Sequence, residues 1–108
     1  NDRAWFSAAK SSQLSIMKNL SKNKNYTNFN ITFNSISPGP IFIKNTGWDK
    51  LRKKNPKKFK KWISNNVPVN RTGTAEDVSN LVTFIASDNA SFINGTNIII
   101  DGGKSNSI

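Results

Sequence analysis

The sequence predicts an α/β fold, half of a doubly wound domain built on a parallel sheet. Two segments with helical spacing of their apolar residues, 4–22 and 74–87, alternate with two apolar, β-rich segments, 30–37 and 97–100. The last of these is continuously apolar and follows a helix, which is typical of a parallel strand buried between helix layers. Because two strands cannot form a stable open sheet alone, we expect further strands upstream.

The first predicted helix, residues 4–22, contains no Gly or Pro, and a polar break follows it at 23–28. Its apolar side chains cluster on one broad face and comprise Phe6, Ala9, Leu14, Ile16, Met17 and Leu20. The run 30–37 does not alternate strictly between apolar and polar residues, so we expect a strand covered on both faces. The Pro38-Gly39-Pro40 sequence is a strong signal for its end.

The rest of the chain predicts an irregular segment, a helix and a strand. Segment 41–70 is expected to be partly helical and broken at Pro56. Thr74 predicts the N-cap of the next helix, whose first turn then contains Glu76 and Asp77. Acidic side chains are favourable there because they meet the positive end of the helix dipole.

The composition excludes several kinds of site. The 108 residues, enough for one small domain, include no cysteine and no histidine. Disulfides, thiolate nucleophiles, imidazole metal sites and histidine bases are therefore excluded. The Asp101-Gly102-Gly103 segment offers one carboxylate, which is too few ligands for a metal, so we expect it to be structural. No apolar run reaches the roughly 20 residues of a membrane span, and we expect a cytoplasmic protein.

The positive charge is concentrated in one stretch. Sixteen basic and six acidic residues give a net charge of +10, and eight of the sixteen lie between Lys50 and Lys61. One interpretation is a polyanionic partner, such as nucleic acid, an anionic membrane or an acidic protein or cofactor. The other is the codon bias of an AT-rich genome, since the chain holds 17 Asn and 13 Lys. No aromatic interleaving or nucleic-acid motif accompanies the lysines, so nucleic acid is the less favoured partner.

Four motifs follow one another in a recognisable order. Phe6 to Lys10 has the spacing of Tyr-x-x-x-Lys, with Phe in the first place. Residues 34–41 read Asn-Ser-Ile-Ser-Pro-Gly-Pro-Ile, residues 71–78 read Arg-Thr-Gly-Thr-Ala-Glu-Asp-Val, and segments 86–95 and 100–103 complete the series. Together they resemble the C-terminal part of a short-chain dehydrogenase/reductase.

This resemblance implies the C-terminal portion of a Rossmann-like sheet, in an enzyme that transfers hydride between NAD or NADP and a carbonyl or alcohol. Residues 1–108 then form a single incomplete domain, with 41–70 as a substrate lid that includes Trp48 and starts after Pro40. The Gly-rich loop for the dinucleotide phosphates is expected upstream. The resemblance also implies a homo-oligomer paired through helix 4–22. The lysines of the lid would suit a substrate linked to an acidic carrier or to CoA.

The chemistry implied for the first helix is incomplete. Lys10 takes the place of the family's lysine, which holds the cofactor ribose and lowers the pKa of the tyrosine one turn earlier. Phe6 occupies that tyrosine position and has no hydroxyl to donate a proton, while Tyr26 lies in a polar loop past the helix end. General acid catalysis contributes roughly 10²–10⁴-fold, so we expect the standard mechanism to be lost or badly weakened.

The turn after the first strand supplies the other implied contacts. The resemblance puts Pro38 and Gly39 along the nicotinamide and lets Ile41 offer backbone atoms to the carboxamide. Ile43 stands where the family commonly has a threonine whose hydroxyl meets the pyrophosphate, and Thr46 is the available substitute.

Three functions remain open from the sequence. The first is a dehydrogenase/reductase of which this chain is one part. The second is a degenerate, non-catalytic member that serves as a cofactor-binding or subunit-pairing module. The third is a basic polyanion-binding domain built on the Lys50–Lys61 stretch. The 108 residues alone are expected to bind NAD(P)H weakly and to show no turnover.

Overall fold

The computed structural model describes residues 3–106, so the two residues at each end of the predicted 1–108 domain lie outside the described part. Within residues 3–106 the elements follow the predicted order, helix, strand, helical segment, helix and strand. They are α1 (Ala4–Ser21), α2 (Lys24–Thr27), β1 (Ser35–Pro38), α3 (Gly47–Lys54), α4 (Pro56–Asn66), α5 (Ala75–Ile85), a 3₁₀ turn (Asp88–Ala90) and β2 (Asn97–Ile100). None of the helices in this range is both long enough and apolar enough to cross a bilayer.

The chain divides into two compact units. One comprises the residues up to Ile36 together with Thr83–Ile98, and the other comprises Ser37–Val82 together with the residues from Ile99 onward. The first unit contains α1, α2 and the 3₁₀ turn, and the second contains α3 and α4. Phe6 and Lys10 therefore belong to the first unit, while the turn after β1 and the lysine-rich helices belong to the second.

The two strands are hydrogen-bonded neighbours in a parallel sheet. The Ser35 N–H donates to the Thr96 carbonyl and the Gly39 N–H donates to the Ile100 carbonyl, each at 2.9 Å. The partner numbers rise together along both strands, as a parallel register requires. The prediction of a strand at 97–100 is confirmed, and the Rossmann-like α/β class is confirmed with it.

The first predicted strand, 30–37, was wrong in its extent, because only Ser35–Pro38 forms β1. Before Ser35, side-chain amides contribute to the pairing alongside one backbone bond, in which the Gly95 N–H donates to the Phe33 carbonyl at 2.7 Å. The Phe33 N–H donates to Asn94 Oδ1 at 2.9 Å, and the Asn34 amide donates to the Ile93 carbonyl at 2.7 Å. Apolar composition predicted the β-rich run, but these asparagine contacts are tertiary and set where pairing begins.

The predicted helix at 4–22 is confirmed as α1 within one residue. Its C-terminal end is fastened to the loop before β2, where Lys18 Nζ donates to the Gly95 carbonyl at 2.7 Å and Asn94 Nδ2 donates to the Ser21 carbonyl at 2.8 Å. Ser21 is buried, whereas Ile16 on the predicted apolar face remains 59% exposed. Contact within this unit therefore concentrates at the end of the helix.

The polar break predicted at 23–28 contains a further helical turn, α2. The Asn23 side chain accepts a hydrogen bond from the Asn25 N–H at 2.9 Å and caps this turn. Polar composition alone indicated a loop, but a capping asparagine satisfies an N-terminal backbone donor and permits one turn of helix.

The predicted break at Pro56 separates two helices, α3 and α4. The break itself is Asn55, and Pro56 begins α4, a position that proline tolerates because its missing N–H needs no partner there. The Asn55 side chain accepts from the Lys58 N–H at 2.9 Å. Trp48 of α3 contacts Trp62 and Phe59 of α4, with ring centres 4.5 and 6.4 Å apart. The aromatic side chains of α3 and α4 therefore pack against one another.

Candidate functional site

Phe6 and Lys10 lie on the same face of α1. The Lys10 ammonium is 5.8 Å from the centre of the Phe6 ring and also donates to Gln13 Oε1 at 3.1 Å. Both side chains are exposed, and Phe6 makes an edge contact with Trp5. The i, i+4 spacing thus brings the cation beside an aromatic ring that carries no hydroxyl. Tyr26 makes a ring contact with Phe33, at 5.3 Å between ring centres.

Gly39 directly follows β1, and its missing side chain is explained by the neighbouring strand. A Cβ at Gly39 would lie 2.5 Å from the Asp101 Cβ and 2.6 Å from the Asp101 Cα. The close approach of Asp101, the residue that follows β2, therefore requires a residue without a side chain at position 39.

Ile41 forms an isolated parallel bridge with Gly73. In this bridge the Gly73 N–H donates to the Pro40 carbonyl at 3.0 Å, and the Phe42 N–H donates to the Gly73 carbonyl at 2.8 Å. Because successive residues of an extended chain direct their backbone groups to opposite sides, the N–H and C=O of Ile41 point away from Gly73. Pro40 is buried, which holds this segment in place.

An ion pair and a capping box hold the residues on either side of Gly73, the bridge partner of Ile41. Arg71 contacts both carboxylate oxygens of Asp77, at 2.6 and 3.1 Å. Asp77 also accepts from the Thr74 N–H at 2.8 Å, and the Asp77 N–H donates to Thr74 Oγ1 at 3.1 Å. The prediction of a capped helix starting after Thr74 is confirmed. Arg71, and then Thr74, hold the pKa of the Asp77 carboxyl well below its usual range.

The segment after the bridge offers little to a pyrophosphate group. Ile43 is 53% exposed and has no hydroxyl. The Thr46 hydroxyl donates to the Ile43 carbonyl at 2.7 Å, so its proton is committed to a local turn. Thr46 is therefore a poor substitute for a threonine at position 43.

Asp49 is the residue that the sequence interpretation missed. Its side chain is completely buried, and it accepts from the Asn45 N–H at 2.9 Å and pairs with Arg52 at 3.0 Å and Lys53 at 2.9 Å. The Asn45 N–H, with Lys53 and Arg52, lowers its pKa to about 2. One signal was available: Asp49 directly precedes the basic stretch, is the only acidic residue between Asp2 and Glu76, and stands three places after Thr46 as in a capping box.

The described residues of the second unit form concave regions of different size. A small cavity of about 210 Å³ lies at the ends of both strands, beside Pro40, Ile41, Gly73, Ile100 and Asp101. A wider one of about 590 Å³ is bordered by Phe59, Lys60, Lys61, Ile63 and Thr72. The first is smaller than the roughly 300–1,000 Å³ of typical ligand pockets, whereas the second falls within that range.

The Asp101 carboxylate is used within its own turn. It accepts from the Gly103 N–H at 2.9 Å and from the Ser105 N–H at 2.7 Å. These contacts, with Ser105 the largest contributor, lower the pKa of the carboxyl. Among residues 3–106, no three side chains of the metal-ligating types come together.

Comparison with known proteins extends over nearly the whole chain. A family model described as enoyl-(acyl carrier protein) reductase matches residues 1–105. Isoepoxydon dehydrogenase patN of Penicillium expansum is 40% identical over 76 residues, which are 68% of this chain and 28% of that protein. The 3-oxoacyl-(acyl-carrier-protein) reductase FabG of Rickettsia felis is 37% identical over 101 residues, which are 94% of this chain and 39% of that protein.

Solved structures of similar fold also match nearly the whole chain. YwfH, an NADPH-dependent reductase involved in bacilysin biosynthesis, is 34% identical with a TM-score of 0.75, and the match covers 91% of this chain and 38% of that one. The 4-hydroxyisoleucine dehydrogenase complexed with NADH is 30% identical with a TM-score of 0.75, and the match covers 94% and 39%. The chain thus spans less than half the length of these relatives. On its fold, its motifs and these matches, the chain belongs to the short-chain dehydrogenase/reductase family.

Proposed function

We propose that this chain is the substrate-side part of an NAD(P)-dependent oxidoreductase whose usual proton donor is missing. The observation that carries the proposal is the arrangement at Ile41, whose N–H and C=O point away from the Gly73 bridge. A planar carboxamide needs one acceptor and one donor side by side, and an extended residue provides both. Among the relatives of known structure, YwfH is NADPH-dependent and 4-hydroxyisoleucine dehydrogenase is complexed with NADH, which supports the same cofactor class.

The residues present fit one end of the cofactor only. Within the second unit, Ile41 would hold the carboxamide. In the first unit, Lys10 is the residue type that the family resemblance associates with the ribose. The bound nicotinamide would supply the hydride. Ile43 lacks a hydroxyl for the pyrophosphate, and the 108 residues contain no Gly-rich fingerprint. Binding of the phosphates and the adenosine is therefore assigned to residues outside this sequence.

Proton transfer is the step that this chain supports least. Reduction of a carbonyl builds negative charge on oxygen, and a donor must reach that oxygen. Lys10 can stabilise the negative charge on the substrate oxygen. The Phe6 ring beside it has no O–H, so it cannot donate a proton to that oxygen. We infer a slow enzyme or a non-catalytic cofactor-binding member.

Thermal stabilisation by the cofactor tests this proposal. The longest natural polypeptide that carries this sequence is expected to melt at higher temperature in NADH or NADPH, and the isolated 108 residues are expected to show a much smaller increase. Single-turnover oxidation of NADPH with a panel of ketones then separates the slow enzyme from the non-catalytic member. Absence of stabilisation by both cofactors would contradict the proposal.

The lysines of α3 and α4 favour an acidic partner as the source of the substrate. Six lysines form this set, which we call the lid lysines, and they have no carboxylate within ion-pair distance among the described residues: Lys50, Lys54, Lys57, Lys58, Lys60 and Lys61. On α4 all four of these lysines are exposed, whereas Ile63 is buried and Trp62 makes its ring contact with Trp48. The relatives include a 3-oxoacyl-(acyl-carrier-protein) reductase and a probable 2,4-dienoyl-CoA reductase, so a thioester on such a carrier is our proposed substrate class.

A second candidate function is subunit pairing through α1. Trp5 is 71% exposed, Ile16 is exposed, and Ser21 is the one buried residue of the helix among those described. Apolar groups left in water favour a protein partner. We propose a homo-oligomer paired through this helix, and sedimentation of a Trp5→Ser, Ile16→Ser variant tests it.

A further inference from the structure

We propose that Asp77 is a positioning residue for nicotinamide recognition, acting through Gly73 on the backbone of Ile41. The inference rests on the proposed function, because that function assigns the carboxamide to Ile41. It concerns the second unit alone, where all the residues involved lie.

Asp77 holds the chain on both sides of Gly73. On one side its two oxygens receive the Arg71 guanidinium, at 2.6 and 3.1 Å, and Arg71 also donates to the Thr72 carbonyl at 3.0 Å. On the other side the same carboxylate accepts from the Thr74 N–H at 2.8 Å. One carboxylate at the start of α5 thus fixes the residues before and after Gly73.

Gly73 passes this constraint to the segment that contains Ile41. Its N–H and C=O make two hydrogen bonds, with the Pro40 carbonyl and the Phe42 N–H. The contact is close, since a Cβ at Gly73 would lie 2.6 Å from the Ile41 Cδ1. With both neighbouring peptides bonded on one side, the direction of the Ile41 N–H and C=O on the other side is determined.

Glu76 provides the matched comparison within the same helical turn. It is exposed and neighbours Asp77, yet the ion pair of this turn within residues 3–106 is made by Asp77. Both acids meet the positive end of the helix dipole equally. If substitution of Asp77 changes cofactor affinity and substitution of Glu76 does not, the change therefore comes from the contacts around Gly73 and not from the stability of α5.

Binding of NADH and of ADP-ribose distinguishes positioning from general damage. ADP-ribose shares the adenosine, phosphates and ribose of NADH but lacks the nicotinamide. In the longest natural polypeptide that carries this sequence, Asp77→Asn is expected to weaken NADH binding about tenfold, because amide hydrogen bonds to Ile41 lose alignment. Its ADP-ribose affinity should stay within about twofold of the unsubstituted protein, and Glu76→Gln should leave both affinities unchanged.

Arg71→Gln is the second variant. It keeps the capping contacts of Asp77 with Thr74 and removes the ion pair together with the guanidinium's bond to the Thr72 carbonyl. Arg71→Gln is expected to weaken NADH binding selectively as well, by a smaller factor than Asp77→Asn does. Equal loss of both ligands, or no loss in either variant, would overturn the positioning role while leaving the proposed function intact. Failure of the unsubstituted protein to bind both NADH and NADPH would instead contradict the proposed function, and this inference with it.

Discussion

The Lys10 ammonium lies 5.8 Å from the centre of the Phe6 ring, one turn away on α1. In this arrangement the cation contacts a ring face, where a phenol would offer it a negative oxygen. Under the proposed function, Lys10 would supply the positive charge of an acid–base pair, and the Phe6 ring has no hydroxyl to supply its proton.

Phe6→Tyr is expected to restore a titratable phenol beside Lys10. Its pKa should fall by about 1 from the ordinary value near 10, because the ammonium favours the phenolate. The pKa is measured from ultraviolet absorbance as a function of pH. The absorbance curve of the unsubstituted protein, whose one tyrosine is Tyr26, is subtracted first. Phe29→Tyr is the control, since Phe29 is 77% exposed. An unshifted phenol, or one whose pKa does not rise again in a Phe6→Tyr, Lys10→Met variant, would contradict this pairing.

The contact between Gly39 and Asp101 predicts opposite effects for two Gly→Ala substitutions. Gly39→Ala puts a methyl group 2.5 Å from the Asp101 Cβ, and we expect it to lower the free energy of unfolding by about 1–3 kcal/mol. Gly47→Ala meets no atom within 4 Å at the start of α3 and is expected to raise that free energy by about 0.4–1 kcal/mol. Urea denaturation measures both, and equal effects would be inconsistent with the close approach.

Asp49 makes stability depend on acid pH. Its folded pKa of about 2 lies below the usual 3.8, so the carboxylate stabilises the folded state above pH 4. This contribution is lost as the pH falls from about 4 towards 2, where the folded-state carboxyl takes up its proton. Asp49→Asn is expected to lower the melting temperature at pH 7 and to flatten its dependence on pH between 4 and 2. If the melting temperature of the variant falls between pH 4 and 2 as steeply as that of the unsubstituted protein, Asp49 is not the source of the pH dependence.

The lid lysines predict salt-dependent binding of an acidic carrier. Lys57→Glu, Lys61→Glu is expected to weaken binding of an acyl carrier protein at least about tenfold, because two attractions become repulsions. The matched control is Lys22→Glu, Lys24→Glu, which makes the same change of net charge on exposed residues of the first unit. Surface plasmon resonance at low and high salt measures both. Equal weakening by the two variants would indicate a nonspecific charge effect, and tighter binding of a random DNA duplex would favour nucleic acid.

Secondary structure was predictable where one local signal dominated. The uninterrupted apolar spacing of 4–22 predicted α1, and Thr74 followed by two acids predicted the start of α5. The start of β1 was not predictable, because Asn94, some sixty residues away, takes the Phe33 N–H. The same limit applies to Asp49, whose burial depends on how Arg52, Lys53 and Asn45 close around it.

The sequence by itself determined the family, the missing hydroxyl at Phe6 and the concentration of lysines in one stretch, because these are matters of residue type and order. Tertiary structure alone decided what each group is free to do. In the folded chain, Asp101 occupies the space beside Gly39, and the Thr46 hydroxyl is hydrogen-bonded to the Ile43 carbonyl. The backbone N–H and C=O of Ile41 point away from Gly73. The physical reason is that hydrogen bonds and steric contacts between distant segments depend on distances and directions in space, which the order of residues does not contain.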